Sequence, residues 1–101
     1  MNNRYKLQSK LEELLGSKNV YYQPPESFKM SYPAIKYIRD NIDKKVANNS
    51  AYLLKNRYQI IVISKKPDDP VVEKLLDLPL CSFDRHYVSD NLNHDVLTLY
   101  F

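Results

Sequence analysis

The segment "KNRYQIIVISK", residues 55–65, constrains the fold of this chain more than any other stretch. It is dense in β-branched residues, and from Tyr58 to Ile63 it is apolar on both faces apart from Gln59. Successive side chains of a strand point to opposite faces of a sheet, and β-branched residues pack well there. The segment therefore predicts a strand, and the fold must contain a β-sheet.

Two segments have the pattern of amphipathic helices. In "NNRYKLQSKLEELLG" one stripe is apolar, and Gly16 stands where a helix C-cap favours a residue tolerant of positive φ. Over residues 69–78, Asp69 is the predicted N-cap and Pro70 the first helical position, with Pro79 ending the helix. The apolar positions are Tyr5, Leu7, Leu11, Leu14 and Leu15 in the first helix, and Val71, Leu75 and Leu78 in the second.

Four further strands complete the predicted fold. The sequence places them at residues 20–22, 34–40, 80–88 and 95–101, with the turn-rich "SDNLNH" joining the last two. The elements then follow in the order α-β-β-β-α-β-β. This order predicts an α+β fold in which a mixed or antiparallel β-sheet is flanked by two α-helices.

Composition favours one globular domain over residues 1–101, because 44% of the residues are apolar and 27% are charged. A single glycine argues against a Gly-rich phosphate loop or a dinucleotide-binding fingerprint. Cys81 is alone, so an intrachain disulfide is excluded. The sequence has neither the apolar core of a signal peptide nor a run long enough for a membrane span, so we expect a soluble protein made in a cytosol.

Charge is unevenly distributed along the chain. Residues 29–66 carry nine basic and two acidic groups, whereas residues 67–101 carry two basic and seven acidic groups. Such polarity allows the two parts to pair within one chain or between copies. The basic stretch 40–57 lacks a hydrophobic pattern and contains turn-forming residues at 48–50, so it is interpreted as an extended hairpin or a flexible loop.

The segment "CSFDRHYVSDNLNHD", residues 81–95, concentrates chemically active side chains. A hairpin there could gather candidate metal ligands, although no recognised ligand spacing is present. A polar turn whose Asp and Asn side chains bond their own backbone is the favoured interpretation. The candidate ligands are Asp84, His86, Asp90, His94 and Asp95.

A nucleophilic site would combine Cys81 with His86 or His94. Because Cys81 and His86 are five residues apart, regular strand geometry predicts that they point to opposite faces. We therefore expect Cys81 to be a small core residue and no catalytic site here. The acidic pairs at 12–13 and 68–69 are interpreted as a solvated helix face and a cap, and tyrosines beside Lys and Arg could stack nucleic-acid bases.

Two stretches, "YYQPPESFKMSYPAIKY" and "CSFDRHYVSDNLNHDV", carry a resemblance that extends over most of the chain from Tyr21 to Phe101. The pattern resembles small structural proteins of the head–tail junction in tailed bacteriophages of Gram-positive hosts. These proteins are called tail terminator, tail-completion, head–tail joining or minor capsid proteins.

The resemblance implies a virion protein, assembled in the host cytoplasm, that forms a hexameric ring. Such a ring caps the tail tube and meets the head connector, so tube protein and connector protein are the expected partners. It implies neither an enzyme nor a cofactor, and the ring could contact DNA in its lumen. The alternatives are another neck ring protein, a small nucleic-acid-binding module, or a small hydrolase using residues 81–95.

A ring of identical subunits joined head to tail needs two different, complementary surfaces on each copy. The basic segment and the acidic last third of the chain are the candidates for these surfaces. The residues predicted at the interface are Arg39, Lys44, Lys45, Lys55 and Arg57.

Overall fold

A mixed β-sheet with two helices on one face forms the fold in the computed structural model, which describes residues 3–25, 29–47 and 51–101. Within these ranges the strands lie in the spatial order β1-β2-β3-β5-β4. Strand β1 is parallel to β2, and the other neighbours are antiparallel. The elements are α1 (Asn3–Leu15), β1 (Val20–Tyr22), β2 (Ala34–Ala47), β3 (Ala51–Ser64), α2 (Val71–Leu76), β4 (Cys81–Ser89) and β5 (Leu92–Tyr100). The predicted α+β class, with a mixed sheet and two helices, is confirmed.

Strand β3 supplies the centre of the core. Tyr58, Ile60 and Val62 alternate along it and face the helices, and each is buried. Ile60 is paired with Tyr37 of β2 on one side and with Leu97 of β5 on the other. Burial of one large apolar side chain of this kind contributes about 1.5–3 kcal/mol, so the alternation in β3 organises the whole core.

Helix α1 packs on the sheet through Leu7 and Leu11, which are fully buried and one turn apart. It ends at Gly16, whose φ of 79° suits glycine and whose N–H donates to the Glu12 carbonyl at 2.9 Å. Tyr5, predicted to belong to the apolar stripe, is 63% exposed, so that prediction is wrong. The reason is geometric, because a residue two positions before Leu7 lies on nearly the opposite side of a helix.

Helix α2 begins at Val71 with Pro70 in the N-cap position, one residue later than predicted. The carboxylate of Asp69 still provides the capping bond, because its Oδ1 accepts the Val71 N–H at 3.1 Å. Asp69 Oδ2 also accepts the Ser64 hydroxyl at 3.0 Å, which ties the helix start to the end of β3. Val71 and Leu75 are the buried residues of this helix.

Strands β2 and β3 are long, and their outer halves extend beyond the sheet. They pair continuously from Ala34 with Ile63 to Ala47 with Ala51, apart from a bulge between Arg39 and Asn41. Strand β1 reaches β2 only over residues 35–37, and β5 reaches β3 only up to Arg57. Among the described residues, 41–47 and 51–56 therefore pair only with each other, and we call these two segments the ribbon.

For residues 40–57 the sequence predicted either an extended hairpin or a flexible loop. In the structure, the two paired strands of the ribbon occupy most of this segment. The seven residues of its longer strand, 41–47, correspond to a length of about 23 Å. The turn predicted at residues 48–50 lies outside the described residues.

A tight turn at Asp90 and Asn91 joins β4 to β5. Both residues have positive φ, 53° and 63°, as a two-residue hairpin turn of type I′ requires. Strand β5 therefore starts at Leu92, three residues earlier than predicted, because only two residues are needed to reverse the chain.

Candidate interaction surfaces

A β-bulge in β4 decides which side chains of residues 81–95 meet. Cys81 is opposite Leu99 and His86 is opposite Asp95, while the register shifts between Phe83 and Arg85. Leu99 and Asp95 are four residues apart in β5, so Cys81 and His86 lie on the same face of the sheet. The prediction that they point to opposite faces is wrong, because the extra residue at the bulge reverses the alternation.

The shared face does not make Cys81 and His86 a catalytic pair. Four residues of β5 separate their partners, which corresponds to about 13 Å along the strand, far beyond a hydrogen bond. Cys81 is half-buried against the core, and this burial raises the pKa of its thiol, with a smaller contribution from the charge of Asp84. A raised pKa disfavours the thiolate, which is the nucleophilic form.

The two histidines lie on opposite faces of the β4–β5 hairpin. His86 Nδ1 is 2.7 Å from Oδ1 of Asp95, whose side chain is nearly buried. The ring of His94 stacks on Tyr87 with a centroid distance of 4.6 Å, and His94 Nδ1–H donates to the Leu92 carbonyl at 3.0 Å. Each histidine thus has a structural partner of its own.

The remaining candidate ligands do not join either histidine. Asp84 accepts the Thr98 hydroxyl at 2.6 Å, and Asp90 is exposed in the turn. Within the described ranges, no three His, Cys, Asp or Glu side chains come together in a group suited to a metal ion. The predicted ligand set is therefore distributed over both faces and the tip of the hairpin.

The paired carboxylates also have local roles. Glu12 Oε2 accepts the Gln8 amide at 3.0 Å, and Glu13 lies 3.7 Å from the Lys10 ammonium on the same helix. Asp69 caps α2, while Asp68 is exposed beside it. These contacts agree with the solvated helix face and the cap that the sequence predicted.

The predicted interface residues all lie on the ribbon or at its base. Lys55 and Arg39 are exposed, whereas the side chains of Lys44 and Lys45 lie outside the described part of the chain. The Arg57 guanidinium donates to Asp40 Oδ1 at 2.9 Å, and this hydrogen bond is the main cause of its raised pKa. Arg57 therefore anchors the ribbon to its own base more than it offers a free charge.

The sequence did not indicate an apolar surface along β4. Phe83 is 46% exposed and Val88 is 63% exposed, and both lie on the helix-bearing face because their partners in β5 are Leu97 and Asn93. Five residues separate them, so a strand without a bulge would place them on opposite faces. A bulge has no simple sequence pattern, so the sequence does not predict this surface.

The face of the sheet opposite the helices has a shallow groove of about 350 Å³. Lys36, Ile38, Gln59 and Ile61 form its floor, with Gln23 and Pro24 at its rim. The lining residues with polar side chains are Gln23, Lys36, Tyr37 and Gln59.

No protein-family model matches the chain, and no curated protein matches it significantly in sequence. In the described part of the chain, neither helix is long and apolar enough to cross a membrane.

Proposed function

We propose that this chain is a structural virion protein that forms a ring, caps a phage tail tube and joins it to the head connector. The expected assembly is a hexamer, with tube protein and connector protein as its partners. The resemblance of the sequence to head–tail junction proteins supports this proposal.

The observation that carries the proposal is the separation of opposite charges onto different parts of the fold. The segment 29–66 with nine basic groups includes the ribbon, whereas α2, β4 and β5 belong to the segment with seven acidic groups. A head-to-tail ring needs two such complementary surfaces on one subunit. The charge distribution therefore favours head-to-tail assembly of identical copies.

Native mass spectrometry of the purified protein, alone and with polymerised tail tubes, tests this function. We expect a hexamer, either free or only at tube ends. Electron microscopy of particles from a phage that lacks the protein should show tails of abnormal length or tails detached from filled heads. Normal tails on normal heads would contradict the proposal.

A small nucleic-acid-binding module is the second candidate, because the basic ribbon has exposed cations at Lys55 and, at its base, Arg39. Binding of this kind loses affinity steeply as salt concentration rises. A chain that stays monomeric with tube ends present and binds duplex DNA with a steep salt slope would favour this candidate over the ring.

A further inference from the structure

Strand β4 has an edge along which another strand could pair. Within the described part of the chain, β5 lies on one side of β4 and no strand lies on the other. The bulge at Asp84 leaves five regular residues, 85–89, in which every second residue directs its backbone N–H and C=O groups away from β5. Exposed apolar side chains accompany this edge, chiefly Phe83 and Val88.

The ribbon has a second edge of this type, on the outer side of residues 41–47. There β2 pairs with β3 and, in the part of the chain that the structure describes, with no other strand. Ile42 is 46% exposed on it. On the inner strand of the ribbon, the Asn56 carbonyl already accepts the Phe101 N–H at 3.0 Å.

The two edges differ in charge. On β4, in the turn after it, and on α2 with its C-cap, four carboxylates and two cations are exposed: Glu73, Asp77, Asp84 and Asp90 against Lys74 and Arg85. The ribbon strand 41–47 contains Lys44 and Lys45 against Asp43, and Lys55 lies across from it. Carboxylates therefore predominate around β4, although residues 85–89 themselves carry only Arg85, whereas the sequence of the ribbon strand 41–47 has two lysines and one aspartate.

We propose that residues 41–47 of one copy pair with residues 85–89 of the next copy, so that the sheet continues from subunit to subunit. Pairing β4 with β4 would bring two acidic surfaces together, and pairing ribbon with ribbon would bring two basic ones together. A ribbon cannot reach its own β4, because β3 and β5 lie between them in the sheet. Only head-to-tail contact between copies joins opposite charges, and such contacts close into a ring when the rotation permits.

The inference rests on the proposed function, since it assigns the surfaces by which the ring forms. Charge reversal tests it. The ribbon variant combines Lys44→Glu with Lys55→Glu, and the β4-side variant combines Glu73→Lys with Asp77→Lys on α2, which contacts β4. Each variant alone should self-associate at least about tenfold more weakly than the unchanged protein, whether free or on tube ends.

An equimolar mixture of the two variants should restore assembly, because every contact in an alternating ring again joins opposite charges. The matched control reverses two exposed lysines of the α1 side, Lys6→Glu and Lys18→Glu, and should assemble like the unchanged protein. Circular dichroism of each variant verifies that it is folded. Failure of the mixture to assemble, or equal loss in the control, would overturn the inference.

Cysteine cross-linking tests the strand pairing itself. In a Cys81→Ser background, a mixture of Ile42→Cys and Val88→Cys chains should form a disulfide-linked dimer under mild oxidation, whereas Tyr5→Cys with Val88→Cys should not. If rings form but the Ile42→Cys and Val88→Cys chains are not cross-linked, this interface is wrong and the proposed function still stands. Absence of any assembly, with or without tube ends, would reject both.

Discussion

At the scale of single residues, Tyr37 connects α1 to the sheet through a buried polar contact. Its side chain is almost fully buried, and its hydroxyl donates to Gln8 Oε1 at 2.5 Å. Arg4 also hydrogen bonds this hydroxyl. The guanidinium carbon of Arg4 lies 4.4 Å from the centroid of the Tyr22 ring. The phenol is thus satisfied although it is buried, as a polar group in a core must be.

Removal of that hydroxyl should have a measurable cost. We expect Tyr37→Phe to lower the free energy of unfolding by about 1 kcal/mol, because Gln8 loses a buried partner. Denaturant titration measures the change. Tyr5→Phe, at an exposed position, removes the same atom and should change stability by less than about 0.5 kcal/mol. Equal effects of the two substitutions would contradict the role assigned to Tyr37.

Stability should also decrease at alkaline pH. Burial raises the pKa of the Cys81 thiol and of the Tyr37 phenol in the folded state. The folded chain then holds these protons at pH values where the unfolded chain releases them, so the unfolding free energy falls as pH rises above about 8.5 for Cys and about 10 for Tyr. Denaturant titrations between pH 7 and 10.5 should show this fall. Cys81→Ala should reduce the fall around pH 9, and an unchanged profile in that variant would contradict the assignment.

At the scale of elements, the start of α2 depends on Asp69, which accepts both the Val71 N–H and the Ser64 hydroxyl. Asp69→Ala should lower the free energy of unfolding by about 1–2 kcal/mol, because both donors lose their acceptor. Asp69→Asn keeps one oxygen that accepts the Val71 N–H, and its amide NH₂ can donate to the Ser64 hydroxyl oxygen, so it should retain most of the stability. Thermal unfolding of the two variants distinguishes them, and equal losses would show that the charge, and not the cap, matters.

The elements also show what the sequence could and could not predict. The core was predictable from two patterns, because burial of one face imposes them on the sequence. They are the alternation of apolar residues in β2 and β3 and the four-residue spacing of Leu7 and Leu11 in α1. The bulge at Asp84 could not be predicted, since it depends on how β4 meets β5. The long ribbon was ambiguous for a related reason: its pairing is made by backbone groups, which leave no hydrophobic pattern in the sequence.

At the scale of the whole molecule, the core and the ribbon are separable. The buried apolar residues belong to the part of the sheet covered by the helices, and of the four ribbon residues whose side-chain burial the structure describes, 41, 42, 55 and 56, none is buried. Replacement of residues 43–55 by Asn-Gly would join Ile42 to Asn56, which are already paired, through a two-residue turn. We expect this shortened chain to keep its helices and its unfolding midpoint within a few degrees.

The shortened chain should nevertheless fail to assemble, because it lacks the basic edge that the interface requires. Calorimetry and native mass spectrometry on the same sample measure both properties. A chain that unfolds without the ribbon would show that the ribbon contributes to the core, and a shortened chain that still forms rings would place the contact elsewhere.

The position of β5 has a consequence for how the polypeptide is made. It follows β4 in the chain but lies between β3 and β4 in the sheet, so β4 leaves the ribosome before the strand to which it attaches. Until β5 emerges, the hydrophobic flank of β3 has no neighbour on that side and is open to other nascent chains.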